Sequence, residues 1–483
     1  MQAVRVLLTA LVGVALPLAA AELPDFGTPA DAALSKSREA QIGRGAMLQL
    51  RNAGVVVDDP FLTEYVESLG SQLATHVNDG EFNFNFFLVK DDSINAFALP
   101  GGFVGVNSGL ILASANEDEL AGVLAHEISH VTQRHVARGA LDNQRSSIMS
   151  LAAMLAAIVL GAATDAGGEA ITGAVTGAQA LAAQRQINFT RSHEYEADRV
   201  GIDLLASSGF DPNGMSSFFE TLSRRYGSST QYVPALLQTH PVTTERVAEA
   251  RGRARQLPRV THESSMTYSL TKARLVALNA PTPEAAFAAF RDKADSDGPA
   301  DRYGLALASM RMALNDDAEL LFRGLVADYP NVMAFRVGQA EAMAASGATT
   351  TALQMYADAI RLFPRNGPLT TSYAETLIAA GKAAEAHELL LDLLNNVPAT
   401  PEQLRLIARA ANAEGDVANA YFYMSYYYVS IANLPFAIGQ VRLALETPNV
   451  HEVDRARFRA RLDQLIEYLP EEQRDLANAR GPR

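Results

Sequence analysis

The 483-residue sequence contains no cysteine, which removes two possibilities at once: there can be neither a disulfide nor an acylated lipoprotein N-terminus. Lysine and arginine number 40 against 54 acidic residues, the net charge is −14, and no dense basic block occurs. Binding to phosphate backbones therefore lacks its usual driving force, and nucleic acid is set aside. Long apolar runs are missing as well. Residues 6–16 fall well short of the roughly 20 apolar residues that a spanning helix needs. Arg5 ahead of that run and Ala19, Ala20 and Ala21 behind it read as a Sec signal peptide, residues 1–21, cleaved after Ala21. The expectation is a soluble periplasmic protein whose large core replaces disulfides. Histidine is scarce too, with nine in the chain, yet His126, His130 and His135 all stand in VLAHEISHVTQRHVAR, residues 123–138.

What is present divides into two halves. The length exceeds what one core usually serves, and an apolar fraction of 48% supports folding throughout. From Ala285 onward the chain is rich in Ala and Leu and repeats with a period of 34: Pro330, Pro364 and Pro398; Gly347, Gly381 and Gly415; Ala318, Ala352, Ala386 and Ala420. Glycine between two helices, alanine at their close crossing and proline where the second helix stops resemble the tetratricopeptide repeat. Four units are expected over residues 299–434, with flanking helices on both sides. Arrays of this kind present a groove to polypeptides. The tyrosine-rich stretch 420–430 suits either that groove or the core between stacked helices.

The first half mixes strands and helices. EFNFNFFLV, residues 81–89, alternates Phe82, Phe84, Phe86 and Leu88, the pattern of a strand buried on one face. INAFALPGGFVGVNSG, residues 94–109, predicts two short strands turning at Pro100-Gly101-Gly102, and NAFA is a candidate edge for β-addition of an extended substrate or an ordinary interior strand. A helix capped by Asn116, with Glu119 in capping-box position, is expected to run to about Arg138. On it His126 and His130, four residues apart, share one face and can present two imidazoles to one metal, with Glu127 beside the open position. A zinc ion so held lowers the pKa of bound water, and a carboxylate outside the coordination sphere takes its proton.

A catalytic zinc needs a third protein ligand. His135 lies five residues past His130, on another side of a straight helix, and is assigned no ligand role. A metzincin histidine would fall at Val136, which excludes that class. A second helical segment, residues 187–210, carries Glu194 and Asp198 at i and i+4; one carboxylate can bind the metal while the other orients an imidazole.

HEISH, the later HEYEAD, the preceding NAFALPGG and the following THPVTTERVAEAR together resemble the M48 family of metallopeptidases, a gluzincin group, over residues 40–255. The resemblance implies one zinc per chain held by His126, His130 and Glu194, with Glu127 as general base and Asp198 behind a ligand. His240, before Pro241, can occupy the fourth position as a latch, aid catalysis or be a loop residue. Arg246 can stabilise an oxyanion or form a salt bridge.

The resulting expectation is an α+β gluzincin-like metallopeptidase domain (22–256), a connecting segment (257–284) and an all-α tetratricopeptide-repeat solenoid (285–483). The resemblance further implies exported polypeptides as substrates, misfolded outer-membrane β-barrel proteins among them, with the array recruiting them or docking on the outer-membrane assembly machinery. A rival reading is a non-proteolytic periplasmic chaperone or scaffold with a structural or latent metal site; zinc hydrolysis of a non-peptide bond is another. The Ala-rich segment 146–184 suits a lid, a buried helix or a helix resting on a membrane surface.

Overall fold

The computed structural model describes residues 30–31, 34–77, 82–142, 191–226, 234–292, 298–431, 433–469 and 474. The signal segment, residues 1–21, and the Ala-rich segment 146–184 lie outside the described residues.

In the first half, α1 (Lys36–Asn52) and α2 (Pro60–Ala74) precede three strands, β1 (Asn85–Val89), β2 (Ala96–Leu99) and β3 (Phe103–Asn107). The sheet order is β1-β3-β2, with β3 parallel to β1 and antiparallel to β2, so β2 lies at an edge. Gly101 and Gly102 make the turn at φ 80° and 89°, where a Cβ would meet the backbone of Ala40 and Asn83. β1 corrects the expectation of one-sided burial. Phe86 and Leu88 enter the main core, whereas Phe87 and Val89 join a second cluster with Met47, Leu50 and Phe97. The sheet is covered on both faces, and the alternating phenylalanines describe only one of them.

Behind the sheet run α3 (Ser108–Ala113), α4 (Glu117–Thr132) and α5 (His135–Asp142), then α6 (Arg191–Ser207), α7 (Gly214–Tyr226), α8 (Ala235–Thr239) and α9 (Thr244–Ala254). Asn116 caps α4 by accepting from the Glu119 backbone N–H at 2.9 Å, while the Glu119 carboxylate reaches back to the Ala115 N–H at 2.8 Å. Every residue of α4 from Glu117 to Val131 is buried. Contrary to the expected continuous helix to Arg138, the chain breaks at Arg134, whose φ of 52° lies in the left-handed region. Its guanidinium is tied to Asp31, to Glu39 at 3.0 Å and to the Leu34 carbonyl at 2.6 Å, and these bonds hold the break in place.

The second half is a stack of helical hairpins. α10 (Met266–Asn279) and α11 (Pro283–Arg291) lead into α12 (Pro299–Arg311) with α13 (Asn315–Asp328), α14 (Met333–Ala345) with α15 (Thr349–Leu362), α16 (Gly367–Ala379) with α17 (Ala383–Asn396), and α18 (Pro401–Glu414) with α19 (Val417–Ser430). α20 (Leu434–Glu446) and α21 (Glu452–Glu467) follow. Helix starts at 299, 333, 367 and 401, and at 315, 349, 383 and 417, keep the 34-residue interval over four units. Gly347, Gly381 and Gly415 link the helices at φ 91°, 75° and 93°, and the equivalent position of the first unit holds Ala313 at φ 57°. Within the tyrosine-rich stretch Phe422 and Tyr423 are core, Phe422 packing on Phe458 at 4.9 Å, while Tyr426 is half-exposed.

The two halves are joined by more than the chain. α10 places Tyr268 and Leu275 in the core of the first half and Leu270, Ala273 and Ala277 in that of the array. Phe61 of α2 packs against Val337, Ala340, Tyr356 and Leu369 of the array. Arg274 lies over the Phe61 ring at 4.5 Å and donates to Asp59 at 2.7 Å.

Candidate metal centre

The site forms where α4 and α6 cross. Gly201 of α6 permits the approach, since a Cβ there would stand 3.1 Å from the Ala125 carbonyl carbon and oxygen of α4. Gly122 of α4 likewise lies against the backbone of Met215 of α7. With the helices this close, Glu194 and Asp198 on the inner face of α6 meet His126 and His130 on α4. The loop after α8 brings in His240, and α9, capped by Thr243, brings in Arg246.

One donor atom from each of His126, His130, Glu194 and His240 lies within 4.8 Å of the others, and all four residues are buried. His126 Nε2 stands 3.0 Å from His130 Nε2 and 3.6 Å from Glu194 Oε2; His130 Nε2 is 3.5 Å from Glu194 Oε1. His240 Nδ1 is 3.3 Å from His126 Nε2 and 3.1 Å from Glu194 Oε1. A tetrahedral ion with bonds of about 2.0–2.1 Å separates its ligand atoms by about 3.3–3.4 Å, so these spacings and this nitrogen and oxygen donor set fit a metal. Glu127 is 1% exposed, and its Oε1 has no hydrogen-bond partner among the described residues, lying 3.5 Å from His240 Nε2.

Asp198 Oδ1 sits 3.0 Å from His126 Nδ1, behind that imidazole. Arg246 is 2% exposed: Nε and Nη2 donate to Asp198 at 2.8 and 2.7 Å, and Nη1 meets Glu194 Oε2 at 2.8 Å and the Pro241 carbonyl at 2.9 Å. The guanidinium is thus bound in a buried salt bridge with the two carboxylates of α6. His135, which straight-helix geometry puts on another side of the helix, is 1% exposed and packs at the site. The break at Arg134 turns it back, so its Nδ1 lies 2.8 Å from His130 Nδ1.

Two buried carboxylates, Glu194 and Asp198, flank one fixed cation, Arg246, and Glu127 is a third buried carboxylate of the site. Burial opposes charge on His126, yet the adjoining Asp198 and Glu194 carboxylates raise its pKa to about 10. Burial and the His126 charge push His130 well below the ordinary histidine range. Burial would raise Glu194, but His240 and His126 overcome it and hold the carboxyl well below its usual range.

His193, whose ring stacks on His135 at 4.4 Å, and Glu196, 3.3 Å from His135 Nε2, were not singled out in the sequence. Both stand inside HEYEAD, where the second histidine-glutamate pair was the available signal.

An HEISH helix facing a carboxylate helix, with hairpin repeats to follow, defines a metallopeptidase joined to a tetratricopeptide array. Residues 60–254 match the model of peptidase family M48 and residues 343–410 that of a tetratricopeptide repeat. A Vibrio cholerae relative is 36% identical over 92% of each chain. The beta-barrel assembly-enhancing protease of Escherichia coli K12 is 34% identical, covering 92% of this chain and 91% of its own. That of Yersinia pestis is 33% identical over the same shares. The chain belongs to peptidase family M48 and is similar over nearly its whole length to the beta-barrel assembly-enhancing proteases. Among the described residues, no helix is long and apolar enough to cross a membrane.

Proposed function

We propose that the chain is a periplasmic zinc endopeptidase acting on exported polypeptides, outer-membrane β-barrel proteins that misfold or stall among them, and that its array adds a chaperone-like hold on the same substrates or docks the enzyme on the assembly machinery. The observation that carries the reading is the buried set of His126, His130 and Glu194 with a buried Glu127 oxygen beside it that takes no hydrogen bond among the described residues. These three residues would hold one zinc, which when bound polarises a peptide carbonyl and acidifies water. Glu127 then takes a proton at Oε1 and passes it to the leaving amine. Asp198 keeps the His126 ring aligned, and Arg246 fixes both Asp198 and Glu194. Edge strand β2 is the candidate holder of an extended substrate, since Ala98 and Leu99 line the same cavity as His130.

His240 has its Nδ1 among the ligand atoms and its Nε2 toward Glu127. That position supports the latch reading: while it stays, neither the fourth coordination position nor the base is open to substrate. The same closure supports the second reading, a scaffold with a silent metal site. Glu127→Gln separates the two. Endopeptidase action requires that this variant keep zinc, lose turnover and retain exported polypeptides that can be identified by mass spectrometry. Unchanged turnover of exported proteins would leave the scaffold.

A further inference from the structure

We propose that His135 is a positioning residue of the metal centre, accepting the Nδ1 proton of His130 and so holding the tautomer in which Nε2 of His130 is the ligand atom. Two imidazole nitrogens 2.8 Å apart share one proton, so one donates and the other accepts. The other nitrogen of His130, Nε2, belongs to the ligand set, and a ligand nitrogen offers a lone pair. The proton of His130 therefore sits on Nδ1. His135 Nδ1 is the acceptor, and the proton of His135 sits on Nε2, the atom that faces Glu196 Oε2 at 3.3 Å. Glu196 is held in turn by Arg138 at 2.9 Å, and the His193 ring lies parallel to His135 within 15°. All donors run one way, from His130 through His135 to Glu196.

The two ligand imidazoles are thus supported differently. His126 has the Asp198 carboxylate directly behind its Nδ1, whereas the Nδ1 of His130 faces the His135 ring, with the Glu196 carboxylate beyond it. The device depends on the broken helix: had α4 continued past Thr132, His135 would face another side, and the left-handed Arg134 is what returns it. Partners of this kind orient a metal-bound histidine and tune its basicity, and their loss costs about 10- to 100-fold in metal affinity.

The inference rests on His130 being a ligand, and the test keeps the two claims apart. The full-length protein is titrated with zinc against a chelator, alongside thermal melting of the metal-free form. His135→Ala weakens zinc affinity about 10- to 100-fold while saturating zinc still fills the site. His135→Asn, whose Oδ1 takes nearly the place of Nδ1, returns affinity to within about threefold of wild type. His135→Gln, which reaches toward Glu196 but offers no acceptor at the Nδ1 position, behaves like His135→Ala. Nitrogen chemical shifts of labelled histidine in the zinc form show Nδ1 of His130 protonated in the wild type. Wild-type affinity in His135→Ala, or equal losses in His135→Asn and His135→Ala together with a lowered metal-free melting point, would overturn the proposal. Full zinc retention in His130→Ala would instead overturn the ligand assignment on which it rests.

Discussion

The peptidase half and the repeat array are both largely helical, yet they close over different distances and bury different groups. In the first half, Tyr65 bonds Glu117 across 52 residues, the Asp211 N–H reaches Asp118 across 93, and Gln72 donates to the Ser208 carbonyl across 136. In the array, Arg302 pairs with Asp328, Arg365 with Asp392 and Ser372 with Glu341, all within 31 residues. The first half also buries Glu117, Asp118, Glu119, Glu127, Arg134, Glu194, Asp198 and Arg246, whereas among the described residues of the array from Ala285 onward the polar residues buried to the same degree are Ser309, Thr370, Thr371, Ser372, Gln403 and Ser425, none charged. Burying charge is costly unless it is paired in fixed geometry. The lesson is a division of labour: a long-range, tightly crossed core holds unfavourable charges in position, while the array draws its stability from repeated neighbour contacts.

If that contrast is sound, the largest effects arise at the buried charges. His126→Ala, His130→Ala and Glu194→Ala should each abolish zinc retention after dialysis while the array keeps its helical signal, because two remaining ligands make a weak site. Full metal content in Glu194→Ala would remove it from the ligand set. His240→Ala should raise peptidase rate per bound zinc, and Glu127→Gln should abolish the increase; a rate at or below wild type rules out the latch. Gly201→Ala forces a methyl group against the Ala125 carbonyl and should cost about 1–3 kcal/mol in denaturant unfolding of the first half. An unchanged midpoint there would mean that the crossing is not tight.

Smaller effects test the array. A fragment starting at Ser265 should be more stable than one starting at Pro283 by about 2 kcal/mol or more, because the latter loses the cover that Leu270, Ala273 and Ala277 provide. Equal melting of the two fragments would assign α10 wholly to the peptidase half. Ala313→Gly should stabilise the array by about 0.5–1 kcal/mol, since alanine at φ 57° carries a steric penalty that glycine avoids. No gain would show that the first repeat relaxes around its alanine.

The same contrast explains what the sequence made legible. A 34-residue period locates eight array helices because each contacts its neighbours and repeats the same residue types. HEISH and the later ExxxD spacing locate the helix faces that meet, since i and i+4 share a side. The position of His135 was hidden, because straight-helix geometry fails once Arg134 turns left-handed under the pull of Asp31 and Glu39, about 100 residues away. Two-sided burial of β1 was hidden for a similar reason: Val55, Met47 and Leu50 cover its second face from α1 and the turn that follows. The engagement of Arg246 by two carboxylates of α6 depends on a helix crossing that no local pattern encodes.

α10 carries a further consequence, for recombination. Because Tyr268 and Leu275 face one core and Leu270, Ala273 and Ala277 the other, no cut in this helix yields two self-sufficient modules. A chimaera that borrows the array of a relative must take one parent's α10 and rewrite the opposite stripe to suit the other parent, together with the Phe61 and Asp59 contacts of α2. Exchange of the two halves between members of such a lineage is therefore expected to succeed only when α2, α10 and the first hairpins travel together.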